Sequence, residues 1–162
     1  MSLSAALRAK PFSRRPLTPG ERALAVEMFG GGLDAARVRV LALPALRRAF
    51  VAGPGLIVWP AAEARRDFAA PDTPLRTQAV FVHELTHVWQ AQHGTWLPLA
   101  KLKAGDAPAA YAYDLAAGPS FPKLNIEQQA MVVEHAFLAA RGGLAPHPPA
   151  LYAQARPHWR QA

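Results

Sequence analysis

Apolar residues recur along this chain in two rhythms, and the places where the rhythm changes divide it into elements. Leu24, Val26 and Met28 or Phe29 mark the apolar side of a first helix running to about Phe29. Thr18-Pro19-Gly20-Glu21 begins it with a capping box: Thr18 caps, Pro19 takes the first helical position and Glu21 reaches back, and Gly30-Gly31-Gly32 ends it. Val38-Arg39-Val40-Leu41 then alternates apolar and basic residues, the period of a half-buried strand. Leu56-Ile57-Val58-Trp59, between Gly55 and Pro60, is a continuous apolar run and predicts a more buried strand. The segment between the two, with Pro44, Arg47, Arg48 and Pro54, reads as a connection or broad hairpin. A free edge on the Leu56–Trp59 strand can take an extended peptide as an added strand.

The second half is helical. A helix is predicted from about Pro74 to Gln92, capped by Asp72 or Thr73, with Val82, Leu85 and Trp89 inward and Gly94 as its stop. Residues 94–124 hold Pro98, Pro108, Pro119 and Pro122 and predict a long irregular rim or lid. Asn125 caps a further helix from Ile126 to about Arg141, ended by Gly142-Gly143. Ile126, Ala130, Val133 and Phe137 form its core stripe, and Glu127, Met131, Glu134 and Leu138 share the adjacent face. The order of elements is α+β, a small sheet packed on two long helices. It divides into a flexible basic arm over 1–16, a domain over 17–145, and an irregular Pro-rich tail over 146–162 packed by Tyr152 and Trp159.

Composition narrows the class. Of 162 residues 51% are hydrophobic and 18% charged, which is globular. Cys is absent, so disulfides and thiolate zinc sites are excluded, and any zinc must be held by His and carboxylate. The net charge of +7 favours acidic partners, but no nucleic-acid module accompanies it, and no run of 18 apolar residues predicts a membrane span. The first sixteen residues lack the apolar stretch of a secretory signal; although Arg-rich and acid-poor like a transit peptide, they read more simply as a solvated tail. The expected location is the cytoplasm, with export by a specialised apparatus as the other route.

Chemistry enters with Phe81–Gln90, FVHELTHVWQ, which contains His83-Glu84-Leu85-Thr86-His87. On a helix, histidines four residues apart leave the same face and can reach one ion, while Glu84 borders that face and can hold a water. Core packing gives no reason to cluster His, Glu and His beside an apolar stripe.

A catalytic zinc takes three protein ligands and leaves one position open. His93 lies ten residues after His83, the spacing of HExxHxxGxxH, but Gln90 stands where that motif has Gly. On an unbroken helix His93 would lie about 9 Å beyond His87 along the axis and off its face, so it reads as a helix C-terminal residue near free carbonyls. Glu127, in the first turn of the later helix and forty residues after His87, is the better candidate, with Ala130 allowing close helix approach.

RPLTPGE, VRV, FVHELTHVWQ, the YxYDL segment Tyr111–Leu115 and NIEQQA resemble a small bacterial family of Vgr-related proteins. These are similar to metallopeptidase domains associated with contractile injection systems, which share a HELTH helix and a later Glu-x-x-Ala helix. The resemblance covers Arg15 to Gly143. It implies a zincin-like fold of gluzincin type, with His83, His87 and Glu127 as zinc ligands and Glu84 as the catalytic residue. Gluzincins often carry an Asp one turn after the ligand Glu; this chain has Met131 there, so Glu134 or Asp114 is expected to orient a histidine instead.

The expected activity is hydrolysis of a peptide or protein substrate. Zinc activates a water and polarises the carbonyl, and Glu84 moves the proton to the leaving amine. Tyr111, Tyr113 and His135 are the candidate donors to the developing oxyanion. The rival reading is a non-catalytic, metal-stabilised accessory or assembly protein of a secretion or contractile injection system.

Overall fold

A computed structural model describes residues 8–161. Its elements are β1 (Arg14–Pro16), α1 (Pro19–Phe29), β2 (Arg39–Leu43), β3 (Phe50–Ala52), β4 (Leu56–Pro60), α2 (Leu75–Gln92), α3 (Leu97–Ala104), α4 (Ile126–Ala140) and α5 (Pro149–Ala155), with short 3-10 turns between them. The architecture is α+β: a small mixed sheet and five helices.

The sheet runs in the order β1-β2-β4-β3. β2 and β4 are parallel, with Val40 opposite Ile57 and Leu41 opposite Val58. The segment joining them is therefore not a hairpin between the two. It contains β3, which folds back antiparallel on β4 and forms the outer edge. The continuous apolar run of β4 suits its interior place, flanked on both sides and buried from Ile57 to Pro60. The free edge belongs to β3, not to Leu56–Trp59.

At the other edge β1 pairs antiparallel with β2. Part of the segment expected to be a flexible arm is thus a strand, and residues 1–7 of that arm lie outside the described residues. Arg15 makes the difference, because its guanidinium meets Glu21 through two 2.7 Å bonds. Glu21 also completes the capping box, accepting from the Thr18 backbone at 2.9 Å while its own backbone N–H donates to the Thr18 hydroxyl at 3.0 Å. Starting from that cap, the buried face of α1 is Glu21, Leu24, Ala25, Met28 and Phe29. Val26, expected inside, falls on the opposite side and is exposed.

α2 packs along α4 and against β3 and β4. Ala79, Phe81, Val82, Leu85 and Val88 are fully buried, and Phe81 stacks on Phe68 at 4.6 Å. Trp89 is only partly buried. Neither Asp72 nor Thr73 caps α2; Pro74 holds the cap position and the Thr73 hydroxyl donates to the Asp67 carbonyl.

The 94–124 segment is more regular than four prolines suggested, since Leu97–Ala104 forms α3 with Pro98 in its first turn. The tail is also built into the fold. α5 buries Tyr152, and Trp159 is fully buried beside Phe121, with ring centres 5.1 Å apart. The chain then returns to the end of α1: Gly30, at φ +58, passes so close to Gln161 that a Cβ would lie 1.8 Å from its carbonyl oxygen. Among the described residues no helix is long and apolar enough to cross a membrane.

Candidate metal centre

α2 presents His83 and His87 from one face, with ring centres 4.9 Å apart and planes at 80°. Asn125 starts α4 through a capping box with Gln128, and this sets Glu127 in the first turn, pointing at the two rings. Glu127 Oε2 lies 3.3 Å from His83 Nε2 and 3.4 Å from His87 Nε2. One donor atom from each of the three falls within 4.8 Å of the others. Donors about 2.0–2.1 Å from one ion at tetrahedral angles are separated by about 3.3–3.5 Å, so both measured separations fit a shared ion. The polar atoms agree. His87 Nε2 is buried without a hydrogen-bond partner, and so is Oε2 of Glu84, which lines a cleft with His83 and Glu127. Two imidazoles and a carboxylate, with no thiolate, suit zinc and other first-row divalent ions.

Each ring is held from behind. His83 Nδ1 donates to Glu134 Oε2 at 3.0 Å, and Arg76 pairs with the other oxygen of Glu134. His87 Nδ1 donates to Gln90 Oε1 at 2.8 Å. The Gln90 amide donates in turn to the Ile126 carbonyl at 2.9 Å and to Gln129 Oε1 at 3.0 Å, which ties α2 to the start of α4. Fixing Nδ1 as donor leaves each Nε2 directed at Glu127. Burial pushes the His83 imidazole down, but its bonds to Glu127 and Glu134 outweigh it and raise it to about 9. Burial also disfavours charge on Glu127, yet His83, His87 and Lys101 hold its carboxyl far below the usual range. Glu134 is lowered in the same way, against burial, by His83 and Arg76. Positive charge is favoured here, and a metal ion would compete with the proton for His83 Nε2.

Of the other residues singled out in the sequence, Tyr111 lines the same cleft as His83, Glu84 and Glu127. Its hydroxyl is raised by burial and by the charge of Glu127. Tyr113 and His135 do not line it. They bond to each other at 2.6 Å, and Tyr113 bonds to Tyr152 at 2.8 Å, in a cluster that holds α5 on α4. Asp114 is exposed and accepts from the backbone of Ala116 and Ala117, a local turn with no histidine attached. Of the two acids expected to orient a histidine, Glu134 is the one in contact. His93 donates to the Trp89 carbonyl at 2.8 Å, away from the three-residue cluster.

Gln90, Arg76 and Lys101 were not singled out by sequence reasoning. Gln90 was legible, because a residue three places after His87 on a helix faces it. Lys101 Nζ forms an ion pair with Glu127 Oε1 at 2.9 Å. Beside His87 is a largely apolar groove of about 160 Å³, lined by Phe50, Val51, Leu97, Pro98 and Ile126. The edge strand β3 forms one wall of it.

No protein-family model matches the chain. It is 34% identical over 134 residues to the type VI secretion system spike protein VgrG2b of Pseudomonas aeruginosa. The match covers 76% of this chain, and the chain spans only 13% of that much longer relative. A solved structure described as the effector domain of Pseudomonas aeruginosa VgrG2b superposes with a TM-score of 0.68 at 29% identity. That match covers 95% of this chain and 88% of the solved one. The two likenesses support a place in a Vgr-related family. Neither description names a metal, a substrate or a reaction.

Proposed function

We propose that this chain is an effector-type module of a type VI secretion apparatus, built on a divalent metal site that hydrolyses peptide bonds. The setting rests on the likeness to the spike protein and its effector domain, and export by that apparatus goes with it. The chemistry rests on one observation: Glu127 Oε2 meets both Nε2 atoms at 3.3 and 3.4 Å while Glu84, in the cleft with His83 and Glu127, keeps a buried, unpartnered oxygen.

His83, His87 and Glu127 would hold the ion, in a zincin-like arrangement with zinc as the expected metal. Bound there, zinc supplies Lewis acidity toward a carbonyl and an acidified water. Glu84 is the general base: it takes a proton from the attacking water and delivers it to the departing amine. Tyr111, which lines the same cleft, would donate to the developing oxyanion. An extended substrate would add to the free edge of β3 and set an apolar side chain in the groove beside His87.

The second reading is a non-catalytic, metal-stabilised accessory protein of the apparatus. The comparisons support it more directly, because they name a place in a secretion system and no reaction. Glu84→Gln separates the two. In the hydrolytic reading the purified variant keeps about one zinc per chain and loses cleavage of a peptide library by at least about 100-fold. Zinc retained, with no cleavage by the unmodified protein and secretion-linked function intact in the variant, would establish the accessory role.

A further inference from the structure

A buried carboxylate that serves a metal must decide how many oxygens it offers. Glu127 is 1% exposed at its side chain, and its two oxygens have different neighbours. Oε2 faces the imidazoles, whereas Oε1 faces the ammonium of Lys101 at 2.9 Å. Lys101 comes from α3, and its stem lines both the apolar groove and the cleft that holds Glu84 and Tyr111.

We propose that Lys101 is a positioning residue, whose charge occupies Glu127 Oε1 so that only Oε2 is offered to the metal. The inference rests on the metal-site reading above. Zinc prefers four ligands but can expand to five, and a freely rotating carboxylate can bind it through both oxygens. Such binding would use the position that an attacking water or a substrate carbonyl must take. A cation on the outer oxygen favours the one-oxygen geometry, and it tethers α3 to the ligand. Three carboxylates line the cleft, Glu84, Glu127 and Glu134, with Arg48, Arg76 and Lys101 as the neighbouring cations. Removing Lys101 therefore also removes repulsion toward a divalent ion, so the ion should not be lost.

Cobalt(II) substitution reads coordination number directly, because four-coordinate Co(II) absorbs more strongly in the visible than five-coordinate Co(II). The unmodified chain should take one Co(II) with the intense four-coordinate bands. Lys101→Met should still take one Co(II), with weaker bands, and peptide cleavage should fall about 10- to 100-fold. Lys101→Arg, which keeps the charge, should recover most of the band intensity. Lys101→Gln serves the same comparison if the Met variant loses its helical circular dichroism. A folded Met or Gln variant with unchanged Co(II) bands would overturn the role of Lys101 while leaving the metal site in place. An unmodified chain that takes up no Co(II) or zinc would overturn the metal site itself, and this inference with it.

Discussion

Glu21 and Glu127 are both glutamates in the first turn of a helix and both wholly buried, but their surroundings differ. Glu21 is saturated: two bonds from Arg15, one from the Thr18 backbone and one from the Phe68 backbone at 2.8 Å. It joins β1, α1 and the segment leading to α2, and it has no capacity left for a ligand. Glu127 has only two imidazole nitrogens and one ammonium around it among the described residues, all from side chains on other parts of the site, and no backbone donor. A buried carboxylate whose bonds are all made holds the fold together. One met only by imidazoles and an ammonium keeps an oxygen that, in the proposed reading, an ion would take in place of the imidazole protons.

The comparison is sharpest where each glutamate is removed. Glu21→Ala should cost about 3 kcal/mol, toward the lower end for a broken buried pair because Arg15 keeps some contact with water. Urea unfolding would measure this, and zinc affinity of the folded fraction should not change. Glu127→Gln should do the reverse. Zinc affinity should fall at least about 100-fold by competition with a chelator, while the metal-free protein shifts by less than about 1 kcal/mol. Equal stability losses from the two substitutions would make Glu127 a structural residue like Glu21.

A third expected effect is on pH dependence. His83 is raised above its unfolded value, so its charged form stabilises the metal-free fold fully below about pH 6.5, and that contribution is lost as pH rises through about 9. With zinc present the trend should invert, since affinity rises with pH until the proton has left His83. Thermal unfolding with and without zinc across pH 6 to 9 should show the two curves diverging. Parallel curves would mean that proton and metal do not share His83.

What the sequence disclosed was local in origin. The HExxH face, the Thr18–Glu21 capping box and the Asn125 start of α4 are fixed by residues within one or two turns, and the structure brings His83, His87 and Glu127 within 4.8 Å of one another. β3 was missed because three residues of edge strand gain their hydrogen bonds only from β4, which no local pattern records. The prolines of 94–124 hid α3, although Leu97-Pro98-Leu99-Ala100-Lys101 is a good helix start with Pro in its first turn. Val26 was misplaced because the apolar residues were read without fixing the phase from the cap. Tyr113, Asp114 and His135 were chosen by chemical type alone, and their positions follow from how α5 and the 111–118 turn close over α4. Lys101 had no sequence signal, because its partner lies in a different helix.

The Gln90 side chain bonds to His87 at one end and to the Ile126 carbonyl and Gln129 at the other. This has a consequence for the order of assembly. His83 and His87 are neighbours as soon as α2 winds, but Glu127 arrives only when α4 docks, across a long separation in the chain. The glutamine turns that docking into a checkpoint. Until α4 is seated, Gln90 lacks the Ile126 and Gln129 contacts that hold its side chain against His87, and the third ligand is missing, so a partly folded chain should hold an ion weakly. High affinity should appear only in the last step of refolding.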